Sequence, residues 1–346
     1  MKMCQAMSKL GHDVRLLTLS RPAFEEPGVE DVFAHYGVER RFELEKLPFP
    51  GFPGRQLIYA FSAWRQARQW KPDLIYGRYF PAMAMVGLAG WPVAWESHER
   101  VWDRSGMAKR LAKRLFASRG FRKLVVISEA LKSMYVEAEM IEAERIEVAH
   151  DAADPATIEI KAHEGFRVGY IGGVYPGRGI ELVLECAVRL PDVEFHFVGG
   201  TAPDLQKLPG ITELSANVIC HGYQPPDLVP EMRASFDVLL APYQRKVAVW
   251  GGNGDTSAFM SPLKIFEYMA SGRPMICSDL PVLREVLNDK NALLVQPEDV
   301  DGWVTAIAQL RDNRELGAKI AESALADFEE NYTWDKRAER VLTACA

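Results

Sequence analysis

The stretch Ser261-Pro-Leu-Lys-Ile-Phe-Glu-Tyr-Met-Ala-Ser-Gly-Arg-Pro-Met-Ile-Cys277 reads as one complete helix–turn–strand unit. Pro262 suits a helix start, Leu263, Phe266 and Met269 recur on an apolar face, and Ser271-Gly272 stops the helix. The spacing predicts a helix over Leu263–Met269 and a buried strand over Pro274–Cys277. Lys264 and Glu267 stand three residues apart, on one face near the helix start. That spacing has two readings. One is an exposed ion pair, contributing only a few tenths of a kcal/mol. The other turns Lys264 and the helix N-terminus toward an anion, with Glu267 accepting hydrogen bonds from hydroxyls.

Outward from this unit the same alternation repeats. Short apolar runs at Val14–Leu19, Leu74–Tyr76, Val93–Trp95, Leu124–Ile127 and Ile146–Val148 form a first set of expected strands. A second set runs Arg167–Ile171, Glu194–Val198, Val218–Cys220, Val238–Ala241, Pro274–Cys277 and Leu293–Val295. Helices are expected near Met3–Leu10, Glu129–Ala138 (capped by Ser128), Ile180–Leu190, Asp227–Ala234 and Val282–Leu287, and over the tail Ala321–Ala344 with Trp334 as anchor. Strands alternating with helices imply parallel sheets with right-handed crossovers. The fold class is therefore α/β, with two doubly wound Rossmann-like domains facing a cleft. The expected domains are 1–155 and 156–320, joined near Asp154–Gly165, with 321–346 as a C-terminal helix crossing back to the first. The chain starts inside its first helix, so the strand and loop that normally precede such a helix are expected ahead of Met1.

Composition bounds the function. The chain has 346 residues, 48% hydrophobic and 25% charged, enough for two packed cores. No apolar run is long enough for a membrane-spanning helix, and the first residues do not read as a secretory signal. The five scattered cysteines form neither a disulfide framework nor a zinc cluster and fit a reducing cytoplasm. The net charge of −6 is uneven, +2 over residues 1–160 and −8 over 161–346. An acidic chain argues against nucleic acid as a partner.

A second segment, Phe166-Arg-Val-Gly-Tyr-Ile-Gly-Gly-Val-Tyr-Pro-Gly-Arg-Gly179, carries a strand into a glycine-rich loop. Gly172 and Gly177 have P-loop spacing, but Arg178 and Gly179 replace the lysine and hydroxyl residue, so that reading fails. The glycines are consistent with a plain tight turn or with backbone amides approaching a phosphate. The tract Gln244–Phe259 reads as a surface loop or a lid. Asp299-Val-Asp301 reads as a helix N-terminal signal and not as a metal motif. Met107–Lys123 holds seven basic residues and no acidic one, with Met107, Leu111 and Leu115 at helical spacing. It reads as a helix with a solvated basic face or as one turning Lys109, Arg110, Lys113 and Arg114 to an anionic membrane.

Together the two segments resemble the C-terminal domain of retaining glycosyltransferases of family 4, of the two-domain architecture called GT-B. Leu10-Gly-His-Asp-Val14, Lys71-Pro-Asp73, Val125-Val-Ile-Ser-Glu129, the His150–Asp154 loop, His221-Gly-Tyr223, Phe236–Pro242 and Asn331-Tyr-Thr-Trp-Asp335 agree with it. The resemblance implies transfer of a sugar from a nucleoside diphosphate sugar to a glycan or lipid-linked acceptor, with retention and no metal or other cofactor. It places the ribose-binding glutamate on Glu267, a phosphate-binding cation on Arg178, the diphosphate-facing backbone on Gly172 and Gly173, and a cleft histidine on His98. Ser261 and Lys264 complete the expected donor site, and His98, Arg178 and Lys264 are the expected catalytic residues. Two positions depart from the family pattern. Phe259 stands where a sugar-binding glutamate is usual, and Gly173 where a first loop cation is usual. Lys264 is expected to restore the lost charge. A nucleotide-sugar epimerase of the same architecture and a sugar-nucleotide-binding protein without turnover are the alternatives. The expected location is the cytoplasm, including the inner membrane face.

Overall fold

The computed structural model describes residues 1–20, 29–155, 163–208, 211, 213–248 and 254–346. Part of the expected linker (156–162) and the middle of the expected lid (249–253) lie outside the described residues. The chain forms two compact units, Met1–His150 with Trp334–Ala346, and Asp151–Thr333.

In the first unit every strand pairing is parallel. β1 (Arg15–Ser20) pairs with β2 (Glu43–Pro48) in a two-stranded sheet. β3 (Ile75–Gly77), β4 (Val93–Ser97), β5 (Phe121–Val126) and β6 (Ile146–Val148) form a separate four-stranded sheet in that order. β4 is buried along its whole length, as expected of a strand with neighbours on both edges and helices on both faces. β1 and β3 each have one unpaired edge among the described residues and are only half-buried. β2 has no counterpart in the sequence reading, because Glu43-Leu-Glu-Lys-Leu-Pro48 mixes charge with apolar residues and carries no buried-strand pattern.

The second unit is one six-stranded parallel sheet. Its strands are β7 (Arg167–Ile171), β8 (Glu194–Val198), β9 (Val218–Gly222), β10 (Val238–Ala241), β11 (Met275–Ser278) and β12 (Leu293–Val295). The spatial order β12-β11-β10-β7-β8-β9 reverses direction between β7 and β10. In a doubly wound sheet that reversal opens a crevice at the carboxyl ends of the two central strands. The core beneath it is dry and aromatic: Tyr170, Phe195, Phe197 and Trp303 are each at most 1% exposed.

Three expectations need correction. Val282–Leu287 is not a helix; only the single turn Leu283–Glu285 forms, too short to propagate. The tail is two helices, Arg314–Asn331 and Trp334–Cys345. They break at Tyr332–Thr333, where the Tyr332 carbonyl accepts from Ala153 N (3.1 Å) and Thr333 bridges Ala153. The basic segment ends its helix at Phe116, and Phe121–Lys123 already belong to β5. Met107 is 79% exposed, so the expected stripe is buried only at Leu115 and Phe116. Two caps stand as expected: Ser128 Oγ accepts from Leu131 N, and Asp299 Oδ1 from Gly302 N.

Candidate functional site

The crevice of the second unit gathers most of the expected donor residues. β7 delivers Ile171 into the turn at Gly172, whose φ of +147° suits only glycine. Its amide donates to the Val198 carbonyl (2.8 Å), so that N–H, expected to face an anion, is not offered to a ligand. Tyr170 Oη donates to the Gly173 carbonyl (3.0 Å), and the Tyr175 ring fills the place a Cβ on Gly173 would take. Gly179 starts the next helix at φ +71°, with Pro242 O only 1.8 Å from a notional Cβ. Glycine is required there because the β10 connection passes directly over the loop.

Lys264 reaches into this crevice from the first turn of its helix. Nζ lies 3.8 Å from the centre of the Tyr170 ring and 5.5 Å from that of Tyr243. A Cβ on Gly172 would stand 3.1 Å from it. The ion pair with Glu267 does not form. Glu267 instead meets the buried Arg233 (3.0 Å), and among the described residues no carboxylate pairs with Lys264. Burial of the ammonium, then the nearby Arg178, hold its pKa well below the ordinary lysine value. The cation–π contact offsets part of that cost. Arg178 lies over the Tyr243 ring at 5.2 Å. Burial pushes the Tyr243 hydroxyl up to about 12. Two cations thus stand over two neutral phenol rings.

Ser261, expected at the donor site, and Phe259, the departure from the family pattern, both make contacts within this unit. Ser261 is buried, and its Oγ accepts from Asp151 N (2.9 Å), fastening the start of this unit. Phe259 is 4% exposed and packs in the core. The arms of the expected lid are tied down, since Asp255 Oδ1 accepts from both Val247 N (3.0 Å) and Ser257 N (2.9 Å). Sequence reading missed Tyr268. Its hydroxyl accepts from Ile171 N (3.1 Å) and donates to Leu240 O (3.3 Å), joining β7 and β10 where they part.

In the first unit, His98 follows β4 at the edge of a cavity of about 230 Å³. The cavity is lined by Arg78, Trp95, Glu96, Ser97, His98, Glu99 and Arg104. Glu96, 2% exposed, is its centre. Glu96 Oε1 meets His98 Nε2 (2.5 Å) and Arg78 Nε (2.9 Å), and Oε2 accepts from Arg337 Nη1 (3.1 Å). Burial works against its charge. Arg337 and then His98 outweigh burial and hold the carboxyl below its usual range. Arg337 arrives from the C-terminal helix and also donates to the carbonyls of His150 (2.8 Å) and Ala149 (3.1 Å). Among the described residues, Trp95 Nε1 is a buried donor without a partner at this cavity. Arg78 and Arg337 left no motif in the sequence; only their placement beyond strand ends and on the returning helix assembles them.

Known proteins agree with this architecture. The family described as Glycosyltransferase Family 4 matches residues 1–157, and the one described as Glycosyl transferases group 1 matches residues 165–313. Over 129 residues the chain is 30% identical to TuaH of Bacillus subtilis (strain 168), inferred to be a teichuronic acid biosynthesis glycosyltransferase. That match spans 35% of this chain and only 29% of the relative. A glycosyltransferase from Rickettsia africae ESF-5 superposes with TM-score 0.75 at 12% identity, covering 99% of this chain and 92% of that one. Anabaena HepE in complex with UDP superposes with TM-score 0.73 at 16% identity, over 99% and 94%. HepE is also solved with UDP-glucose. With both halves matched and the fold shared, the chain belongs to the group 1 glycosyltransferases, of GT-B architecture.

Proposed function

We propose that the chain moves a hexose-type sugar from a nucleoside diphosphate sugar to a hydroxyl of a glycan or lipid-linked acceptor, retaining configuration and using no metal. The Lys264 ammonium carries this reading: a cation that forms no ion pair with a carboxylate among the described residues, set where β7 and β10 part. As the anomeric carbon–oxygen bond breaks, its electron pair leaves on the diphosphate. Fixed positive charge in a poorly hydrated site stabilises that charge most when it develops during the step. Lys264 and Arg178 supply it, which is why the proposal draws on no metal. Glu267, with 40% of its side chain exposed, keeps an accessible carboxylate for ribose hydroxyls while Arg233 holds it. His98, oriented by Glu96, hydrogen-bonds a hydroxyl of the transferred sugar. The acceptor oxygen forms the new bond to the anomeric carbon on the face that the diphosphate leaves and passes its proton to the leaving diphosphate oxygen. The likeness to HepE, solved with UDP and UDP-glucose, makes uridine diphosphate sugars the first donors to try.

The test is incubation with uridine, guanosine, adenosine and thymidine diphosphate sugars, read as free nucleoside diphosphate. Release that Lys264→Ala abolishes supports the reading. An isomeric sugar nucleotide in place of release favours the epimerase. A thermal shift without either product favours a binding protein.

A further inference from the structure

Three helices of the first unit form an unusual surface. Phe80–Leu88 and Gly106–Phe116 connect parallel strands of one sheet advancing in one direction, from β3 to β4 and β4 to β5, and Arg55–Trp70 leads from β2 to β3. Right-handed crossovers advancing the same way place Phe80–Leu88 and Gly106–Phe116 on one side of that sheet. The middle helix packs against both others. None of the three contains an aspartate or glutamate, and together they carry seven arginines and lysines. A solvated helix face of an acidic protein normally mixes both signs.

Large apolar side chains stand among these cations. Leu57 is 65% exposed, Phe61 55% and Met107 79%. Leu57 and Phe61 stand away from the face that packs inward through Tyr59, Ala60 and Ala63, and Met107 is the exposed start of the stripe whose far end, Leu115, is buried. Phe61 leans on Trp64 (5.4 Å between ring centres), over which Arg68 stacks. Aromatic and aliphatic tips beside arginines, on helices that carry no acidic residue, match the layer where headgroups meet acyl chains.

We propose that this three-helix face docks on an anionic lipid bilayer, Leu57, Phe61 and Met107 entering the interface and Arg110, Lys113 and Arg114 meeting headgroups. Charge selects the occupant. A second copy of the same face would bring seven cations against seven, whereas an anionic bilayer complements them. Nucleic acid would leave Leu57 and Met107 without apolar cover. The surface is separate from the Lys264 crevice, so it stands whichever donor the enzyme takes.

The test is flotation of the full chain with vesicles of phosphatidylcholine alone or of phosphatidylcholine with phosphatidylglycerol. The expected result is binding to the anionic vesicles about tenfold or more tighter, weakening severalfold as salt rises from about 0.1 to 0.5 M. K113E/R114E and L57S/F61S are each expected to lose about tenfold while keeping the wild-type melting temperature. No binding, equal binding to neutral vesicles, or binding indifferent to salt overturns the proposal. So does self-association or RNA binding that L57S/F61S removes while vesicle binding stays unchanged.

Discussion

The crevice of the second unit and the cavity of the first have opposite charge logic. At Lys264 a cation faces two phenol rings and, among the described residues, makes no ion pair with a carboxylate. At Glu96 a buried carboxylate is matched by Arg337, Arg78 and a histidine before any ligand arrives. A group left uncompensated costs stability until something charged binds it; a compensated one is already part of the fold. The first arrangement suits an anion that comes and goes. The second suits a rigid frame that aims His98 and Arg78 at neutral hydroxyls.

The largest expected effect separates the two directly. Arg337→Met leaves Glu96 buried without its principal counter-charge, and removing one partner of a buried pair costs about 3–5 kcal/mol. Melting or urea unfolding should show that loss. Adding Glu96→Gln to the same chain should recover part of it, since the orphaned charge is gone. Lys264→Ala is the contrasting change. It should leave stability unchanged or slightly raised, yet reduce sugar transfer by about 10²–10³-fold, the usual range for deleting one charge-stabilising group. If Lys264→Ala destabilises as much as Arg337→Met, the distinction between the two sites collapses.

This contrast was only half legible in the sequence. The Leu263–Met269 helix and the strands of the second unit follow from local pattern, because parallel strands buried on both faces must be apolar runs. Arg178 with the glycine turn, and Lys264, stand out for the same reason: each lies on a continuous motif. What local pattern could not give was pairing. Spacing put Lys264 beside Glu267 as readily as facing a ligand, and only packing sends Glu267 to Arg233. The Glu96 cluster joins residues up to 241 positions apart, so no window of sequence contains it. Ser261 opens the motif but its hydroxyl turns to the Asp151 amide, and Phe259, two residues before it, turns to the core. A motif carries the backbone path more faithfully than it carries each side chain's task.

A smaller effect is expected at His98. Its ring touches Glu96 and Arg78 and lies at the rim of the cavity, so removing it disturbs few buried contacts. His98→Ala should lower turnover about 10–100-fold while changing donor affinity little, as for a hydrogen bond made more strongly in the transition state. Steady-state kinetics with a fixed acceptor and varied donor separate the two. A loss of donor affinity with turnover unchanged would move His98 from the reaction to simple binding.

The finest test is the pH dependence of donor binding, because it reads the Lys264 charge itself. Burial first, and Arg178 second, lower its pKa in the free protein. Between that lowered value and the ordinary one near 10.5, the unfolded chain holds more protons than the folded chain. Stability therefore rises with pH in that window. Binding has the opposite sign. A diphosphate beside Nζ restores the charge, so binding takes up a proton, and affinity falls as pH rises above the free-protein value. The fall is at most about tenfold per pH unit for one proton. Lys264→Arg remains charged throughout and should flatten the profile even where its affinity is lower. Titrating a nucleoside diphosphate in buffers of different ionisation enthalpy counts the proton directly. Wild type should take up a fraction of one and the arginine variant none. An uptake that survives in the variant belongs to another group, and Lys264 would then be an ordinary charged lysine.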